Sequence, residues 1–128
     1  MSQLKPGEIF KERRIFLLGG TGFLGKVCLS MLLDRFPQVG LIYLMVRAGS
    51  TAESESRFWE TILPSPAFDP LRERYGTGLE AFLREKLVIV GGDITEENLG
   101  YSEKEAARIA SEVDVLVNCS GRVTLTRP

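Results

Sequence analysis

Residues 18–26 read LGGTGFLGK and decide how this chain folds. The apolar run IFLL precedes them, and the run VCLSMLL follows. Glycines between a strand and a helix let the chain turn tightly, and the spacing of Gly19, Gly22 and Gly25 is typical of such a turn. Gly19 permits the exit from the strand, and Gly25 lets the helix pack closely on it. The stretch therefore predicts a strand, a tight turn and a helix that begin a βαβ unit.

Four apolar runs of strand length alternate with helical segments along the chain. The runs are RIFLLGG, LIYLMV, KLVIVGGD and VDVLVNCSG, and helices are predicted over 23–36, 53–63 and 78–86 and after a capping box at Ser102 to Glu105. Continuous apolar runs are typical of parallel strands that helices cover on both faces. The sequence predicts an α/β fold, the first four strands of a doubly wound parallel Rossmann sheet in the order 3-2-1-4. Residues 64–78, rich in Pro and Gly, are predicted to be a loop insertion.

The composition is that of a globular domain without a pronounced charge. The chain has 128 residues, of which 44% are apolar and 26% charged, and its net charge is −1. Without an excess of positive charge, binding to nucleic acid is not expected. No window approaches the ~18 apolar residues of a membrane span, so we expect a cytoplasmic location and no transmembrane segment. The length fits one modest domain or part of a larger one.

The cysteine and histidine content disfavours metal-binding and disulfide-rich classes. Cys28 and Cys119 lie in apolar segments without a CxxC spacing, and the chain has no histidine. A zinc site or a disulfide scaffold needs more of these residues at defined spacings. No metal site is predicted, and a triad based on histidine is excluded within these residues.

The glycine turn also has the features of a dinucleotide-binding site. Backbone N–H groups point outward at a helix N-terminus, where the helix dipole is positive, so a pyrophosphate group binds well there. Gly22 would let the phosphates approach the backbone. A flexible turn without a ligand would use the same glycines, but their place between a strand and a helix in a βαβ unit favours nucleotide binding.

The residue after the second predicted strand indicates which dinucleotide binds. A carboxylate there would hydrogen-bond the ribose of NAD, whereas an arginine would pair with the 2′-phosphate of NADP. The sequence has Arg47 at this place and no acidic residue before Glu53. NADPH is therefore the predicted cofactor. The alternative is that Arg47 is an ordinary solvated charge of a loop.

Further residues near the ends of the predicted strands are candidates for the same site. Arg57, on the following helix, is either a second phosphate partner or a residue that faces solvent. Asp93, after the third strand, either accepts from the adenine amino group or ends the strand. Asn118, Ser120 and Gly121, after the fourth strand, either pass the ribose on the nicotinamide side or form a turn of small residues.

The motifs IFLLGGTGFLGK, LMVRA, GGDI and VNCSGRVTL together resemble the N-terminal part of the fatty acyl-CoA reductase and thioester reductase family, a branch of the extended short-chain dehydrogenases. The resemblance extends from about Arg14 to Leu125. The interval between the second and third strands, from Val46 to Leu87, is far longer than an ordinary connection and supports this branch. Sugar-nucleotide epimerases are typically short at this place.

The resemblance implies a substrate and a set of cofactor contacts. The implied reaction is the reduction of an acyl thioester, such as an acyl-CoA, by NADPH to an aldehyde and often onward to an alcohol. The implied cofactor contacts are Gly19, Thr21, Gly22, Phe23, Leu24, Gly25, Arg47, Asp93 and Ile94. The acyl substrate is then expected to bind to a part of the protein beyond these residues.

The proton-donating pair of the short-chain dehydrogenases, Tyr-x-x-x-Lys, is missing from the sequence. In this pair the lysine lowers the pKa of the tyrosine. Tyr43, Tyr75 and Tyr101 are followed four positions later by arginine, leucine and glutamate. We therefore expect residues 1–128 to be the N-terminal portion of a single NAD(P)-binding Rossmann domain that stops before the catalytic segment and is inactive alone. The alternatives are a non-catalytic NADP-sensing protein of this fold and a fragment of a sugar-nucleotide epimerase or dehydratase.

Overall fold

Four parallel strands form the central sheet of the protein. The computed structural model describes residues 5–48, 50–92 and 96–119. The strands are β1 (Arg14–Leu18), β2 (Leu41–Met45), β3 (Leu87–Val90) and β4 (Val115–Asn118). Every pairing is parallel, and the order across the sheet is β3-β2-β1-β4. The predicted α/β class and strand order are confirmed.

Helices connect the strands. They are α1 (Pro6–Phe10), α2 (Phe23–Arg35), α3 (Thr51–Arg57), α4 (Asp69–Tyr75), α5 (Leu79–Lys86) and α6 (Glu103–Glu112). A π-helical turn, Phe58–Ile62, continues α3, and short 3₁₀ turns lie at Pro66–Phe68, Gly76–Gly78 and Glu97–Gly100. The side chain of Ser102 caps α6, since its oxygen accepts from the Glu105 N–H at 3.1 Å. This bond is the serine half of the capping box that the sequence predicts.

The strands bury alternate residues in two hydrophobic clusters, one on each face of the sheet. Ile15 and Leu17 of β1 lie in the larger cluster, together with Leu29 of α2. Phe16 of β1 lies in the smaller cluster, where Ile109 of α6 packs against it. Because both faces are covered, the central strands consist of continuous apolar runs.

The outermost strand, β4, is less buried than its neighbour β1. Phe16 of β1 is 2% exposed, whereas its register partner Leu116 on β4 is 63% exposed. An apolar groove of about 470 Å³ runs beside Leu116, and its other wall includes Ile109 and Val113. No helix among the described residues covers Leu116, and among these residues β4 pairs with a strand on one side alone.

The connection between β2 and β3 is helical where the sequence predicts a loop over 64–78. Ser65 is the N-cap of the 3₁₀ turn Pro66–Phe68, and its side-chain oxygen accepts from the Ala67 N–H at 3.3 Å. Pro66 and Pro70 stand in the first turns of two short helices. Proline is tolerated there because the N–H that it lacks has no partner within the helix. The loop prediction is wrong because these prolines begin helices and do not interrupt them.

Aromatic side chains make this connection part of the core. Phe68 is fully buried. Trp59 packs edge-on against Phe58, with the ring centroids 5.1 Å apart, and the guanidinium of Arg84 lies 4.6 Å above the Trp59 ring. Such contacts add to the stability gained from buried apolar area. The connection is therefore an integral layer of the domain.

Truncation of Phe68 tests whether this connection is integral. Phe68→Ala is expected to lower the free energy of unfolding by about 3–5 kcal/mol, because it leaves a cavity in a fully buried position. Glu73→Ala, at an exposed position of α4, is the matched control and should change stability by less than about 0.5 kcal/mol. Urea denaturation followed by circular dichroism measures both. A loss at Phe68 no larger than that at Glu73 would make the connection peripheral.

Candidate nucleotide-binding site

The carboxyl ends of all four strands meet at one edge of the sheet. The last residues of the parallel strands are Leu18, Met45, Val90 and Asn118. The order reverses at β1, since β2 and β3 lie on one side of it and β4 on the other. In sheets of this type, ligands bind in the crevice at this position. The candidate site therefore lies where β1 leads into α2.

The turn from β1 into α2 is held by main-chain contacts between its glycines. Gly19 has a φ of 77°, in the left-handed region that favours glycine. The Gly22 N–H donates to the Gly19 carbonyl oxygen at 3.3 Å, and the Lys26 N–H donates to the Gly22 carbonyl oxygen at 2.9 Å. Gly22 is thus the N-cap of α2.

Packing within the protein requires Gly25 to lack a side chain and leaves little room for one at Gly20. A Cβ atom at Gly25 would lie 1.8 Å from the Gly19 carbonyl oxygen and 2.6 Å from the Gly20 Cα. Both are main-chain atoms, so no side-chain movement relieves the overlap. A Cβ atom at Gly20 would lie 2.3 Å from Cδ1 of Leu44 on β2. Sequence reasoning assigned no role to Gly20, although its place beside Gly19 was a signal.

Gly22 differs from these two glycines, because its neighbours leave room for a side chain. A Cβ atom built there has the Gly19 carbonyl oxygen as its nearest neighbour, at the ordinary van der Waals distance of 3.8 Å. Its φ of −79° and ψ of 171° are extended values that other residues adopt freely. The packing of the described residues therefore gives no reason for a glycine at this exposed position. A ligand that approaches the main chain gives one.

The first turn of α2 offers a favourable environment for an anion. The helix spans 13 residues, its first turn holds no acidic residue, and Gly22 provides no side-chain hydrogen bond to cap it. The first N–H groups of a helix lack intrahelical partners, and the helix dipole favours negative charge beside them. Phe23 and Leu24 are 81% and 65% exposed in this turn. The arrangement fits the pyrophosphate of a dinucleotide. Thr21 lies just before this turn, ahead of the N-cap Gly22, and is half-buried.

Arg47 and Arg57 meet beyond the end of β2. Arg47 is exposed and follows β2 by two residues. Nη1 of Arg57, in the last turn of α3, donates to the main-chain carbonyl oxygen of Arg47 at 2.6 Å. The sequence allows two interpretations of Arg57, a second phosphate partner or a residue that faces solvent. Neither of them includes this hydrogen bond to the main chain. Its main-chain partner links Arg57 to the residue predicted to select the dinucleotide.

A buried serine of α3 makes a second contact with the same stretch of main chain. Oγ of Ser54 donates to the carbonyl oxygen of Val46 at 2.7 Å, and Ser54 is fully buried. Sequence reasoning missed Ser54 because it is uncharged and belongs to no motif. The available signal was its helical spacing from the N-cap Ser50 and from the buried Phe58.

A polar cavity of about 430 Å³ lies beyond the ends of β2 and β3, with Ser50 and Tyr101 in its lining. The Tyr101 hydroxyl is buried and has no hydrogen-bond partner among the described residues. Burial, and secondarily the charge of Glu105, raises the pKa of Tyr101 to about 12.

Asp93 and Ile94, the predicted cofactor contacts after β3, lie outside the described residues.

The last strand brings Asn118 beside the glycine turn. Asn118 is the final residue of β4 and is in register with Leu18 of β1. The next residue, Cys119, donates its N–H to the Leu18 carbonyl oxygen at 2.9 Å. Asn118 is therefore placed at the crevice between β1 and β4. Ser120 and Gly121, predicted for the same contact, lie outside the described residues.

Two tyrosines have pKa shifts opposite to that of a catalytic tyrosine. The Tyr43 hydroxyl donates to Oε2 of Glu112 at 3.1 Å, and burial together with this bond raises the pKa of Tyr43. The pKa of Tyr101 is raised as well. A Tyr-x-x-x-Lys pair acts through a lowered tyrosine pKa, so these tyrosines lack the environment of its proton donor.

Two further features concern metal-ligating groups and membranes. In the part of the chain that the structure describes, no three histidine, cysteine, aspartate or glutamate side chains form a cluster that would hold a metal ion. Cys28 and Cys119 are free thiols, and burial, with a contribution from Cys119, raises the pKa of Cys28 to about 11. Within residues 5–48, 50–92 and 96–119, no helix has the length and apolar character of a membrane span.

The strand order, the glycine turn and the open helix N-terminus define an NAD(P)-binding Rossmann domain. A family model of NAD-binding domains, described as male sterility protein, matches residues 17–128. The chain belongs to this family.

Known relatives and solved structures agree with this assignment. Fatty acyl-CoA reductase 2, chloroplastic, from Arabidopsis thaliana is 34% identical over 117 residues, which are 91% of this chain and 19% of the relative. Fatty acyl-CoA reductase 1 from Mus musculus is 34% identical over 116 residues, 91% of this chain and 21% of the relative. The chain therefore spans about a fifth of the length of these curated relatives.

A crystal structure of the reductase (R) domain of a non-ribosomal peptide synthetase from Mycobacterium tuberculosis has the same fold. Its TM-score is 0.66 at 28% identity, and the match covers 86% of this chain and 24% of that one. Together these matches confirm the resemblance to the fatty acyl-CoA reductase and thioester reductase family.

The contrast between Gly25 and Gly22 is testable through stability. Gly25→Ala is expected to lower the free energy of unfolding by at least about 1–3 kcal/mol, because its methyl group overlaps main-chain atoms. Gly22→Ala is the matched control. It should change stability by no more than about 0.5 kcal/mol, because alanine restricts the unfolded chain but is a poorer N-cap than glycine. Urea denaturation measures both, and equal losses at the two positions would contradict the packing distinction.

Proposed function

We propose that this chain is the NADPH-binding portion of an acyl-thioester reductase, one that converts a fatty acyl-CoA to an aldehyde or alcohol. The observation that carries the proposal is the glycine turn, in which Gly22 leaves an open approach to the N-terminus of α2. Family membership and the names of the relatives, which are fatty acyl-CoA reductases, support the acyl-CoA substrate. They also favour this function over the sugar-nucleotide epimerase alternative.

The residues of the turn are proposed to bind and orient the dinucleotide. Main-chain N–H groups at Phe23, Leu24 and Gly25 would hold the pyrophosphate, with Gly19 and Thr21 shaping the turn before them. The bound dinucleotide supplies the hydride for reduction of the thioester. The exposed side chains of Phe23 and Leu24 would exclude water from the phosphates.

Arg47 supports NADPH over NADH. Its exposed guanidinium follows β2 at the place where dinucleotide-binding sheets contact the adenosine ribose. A guanidinium carries several N–H donors and a permanent positive charge, which suit a phosphate, whereas an unphosphorylated ribose offers only neutral hydroxyl acceptors. The predicted contacts at Asp93, Ile94, Asn118, Ser120 and Gly121 belong to the same proposal.

The proton donor and the acyl pocket are proposed to come from other parts of the whole protein. The sequence contains no Tyr-x-x-x-Lys pair, and general acid catalysis contributes a factor of about 10²–10⁴ to reduction of a carbonyl. The division of labour fits a chain that spans about a fifth of its curated relatives. We propose the cytoplasm as its compartment; one relative is named as chloroplastic.

Reduction of an acyl-CoA tests the proposed activity. In the whole protein that carries these residues, NADPH absorbance at 340 nm should fall only when a long-chain acyl-CoA is added, and free coenzyme A should appear in step. NADPH binding without turnover on any acyl thioester would instead support the non-catalytic NADP-sensing alternative.

Arg47→Ala tests the preference for NADPH. Loss of a charge-assisted hydrogen bond to the 2′-phosphate should weaken NADPH binding by about 1.5–3 kcal/mol and leave NADH binding nearly unchanged. Arg84→Ala is the matched control, because Arg84 pairs with Glu80 and stacks on Trp59 away from the glycine turn. Isothermal titration calorimetry measures the affinities. Equal losses for the two cofactors would overturn the assignment of Arg47.

Gly22→Val tests the approach of the phosphates to the main chain. The isopropyl group should block the pyrophosphate and abolish binding of both NADPH and NADH, while the circular dichroism spectrum stays close to that of the original protein. Calorimetric titration with each cofactor measures the loss. Unchanged affinity would mean that the glycines serve only the backbone conformation of the turn.

A further inference from the structure

Two side chains of α3 hold the main chain on either side of the Arg47 Cα atom. Oγ of Ser54 donates to the carbonyl oxygen of Val46 at 2.7 Å, which fixes the peptide group before Arg47. Nη1 of Arg57 donates to the carbonyl oxygen of Arg47 at 2.6 Å, which fixes the peptide group after it. Because peptide groups are planar, holding both of them sets the direction of the Cα–Cβ bond between them.

The sheet and α3 make this anchor stiff. The N–H of Val46 donates to the Val90 carbonyl oxygen at 2.9 Å, so β3 holds the peptide group that comes immediately before these two. Ser54 and Arg57 are three residues apart and therefore lie on the same face of α3. The helix itself starts at a capped residue, since the Ser50 side chain accepts from the Glu53 N–H at 3.2 Å.

We propose that Ser54 and Arg57 are positioning residues that aim Arg47 at the 2′-phosphate of NADPH, although neither contacts the phosphate. This inference rests on the proposed NADPH preference of Arg47. An exposed arginine has many side-chain conformations, and a fixed starting direction lowers the entropy lost when it binds a ligand. The preference for a phosphorylated ribose then depends on α3, which contacts the main chain of Arg47 and not the phosphate.

A direct contact between Arg57 and the phosphate is the rival explanation. A guanidinium has five N–H donors, and the bond to the Arg47 carbonyl uses one side of it. The two explanations differ in how substitutions combine. If Arg57 acts through Arg47, removing Arg57 has no further effect once Arg47 is gone. If Arg57 contacts the phosphate directly, its removal still weakens binding when Arg47 is absent.

A double-mutant cycle with two small probes separates these explanations. The probes are adenosine 2′,5′-bisphosphate and adenosine 5′-monophosphate, which differ by the 2′-phosphate and need no catalytic residues. The variants are Arg57→Gln, Arg47→Gln, their combination and Ser54→Ala, each titrated by calorimetry. Arg57→Gln and Ser54→Ala should each weaken the bisphosphate by about tenfold and leave the monophosphate nearly unchanged. In the Arg47→Gln background, Arg57→Gln should have no added effect.

Two controls separate positioning from general stability. Arg74→Gln is matched to Arg57→Gln, because Nη1 of Arg74 likewise donates to a main-chain carbonyl, that of Asp34 near the end of α2. It should leave the affinities for both probes unchanged. Arg57→Lys keeps a charged donor that can reach the Arg47 carbonyl, and it should restore most of the discrimination.

Each contrary outcome has a distinct meaning. A further loss of bisphosphate affinity from Arg57→Gln in the Arg47→Gln background would overturn positioning in favour of a direct phosphate contact. If Arg57→Gln lowers the affinity for both probes equally, the role of Arg57 is to stabilise the fold and not to position Arg47. If Arg47→Gln alone leaves the discrimination unchanged, the proposed NADPH preference fails and this inference fails with it. If Arg47→Gln removes the discrimination and Arg57→Gln does not, only the positioning role is overturned.

Discussion

The contact between the first turn of α2 and the end of β1 is the constraint on which the rest of the structure depends. A Cβ atom at Gly25 would lie 1.8 Å from the Gly19 carbonyl oxygen, so helix and strand touch through their main chains. This approach places the helix N-terminus directly over the carboxyl edge of the sheet. The other strands end at the same edge because they are parallel to β1. One close contact thus brings the positive end of a helix to the ends of four strands.

Beyond the end of β2, the main chain around Arg47 is held by side chains of α3. Main-chain carbonyl oxygens beyond the end of a strand need hydrogen-bond partners from outside the sheet. Ser54 and Arg57 supply such partners for two of them. The long connection after β2 stabilises this helix in turn, because the π-helical turn that continues α3 carries the fully buried Phe58. The main chain around Arg47 and the packing of the connection are therefore linked through α3.

Sequence patterns predicted the sheet better than the connection or the site. Continuous apolar runs define buried parallel strands, and the spacing of Gly19, Gly22 and Gly25 placed the turn correctly. The helices of 64–78 were not predictable from local signals, because Pro66 and Pro70 occur equally in loops and in first helical turns. The contacts of Ser54 and Arg57 were also beyond reach, since both bond to main-chain carbonyls, which have no signature in a sequence. Side chains that recognise backbone become visible only when the fold places them.

The position of Trp59 determines what intrinsic fluorescence can report. It is the single tryptophan of the chain, and it lies in the π-helical turn between Phe58 and the guanidinium of Arg84. A positive charge and an aromatic edge at these distances make its emission sensitive to the packing of the connection between β2 and β3. Arg57 stands two residues before it, so the same chromophore is mechanically close to the anchor of Arg47. Fluorescence from Trp59 would therefore respond directly to changes in the packing of the helical connection. A change at the glycine turn would affect this fluorescence only if the sheet transmits it.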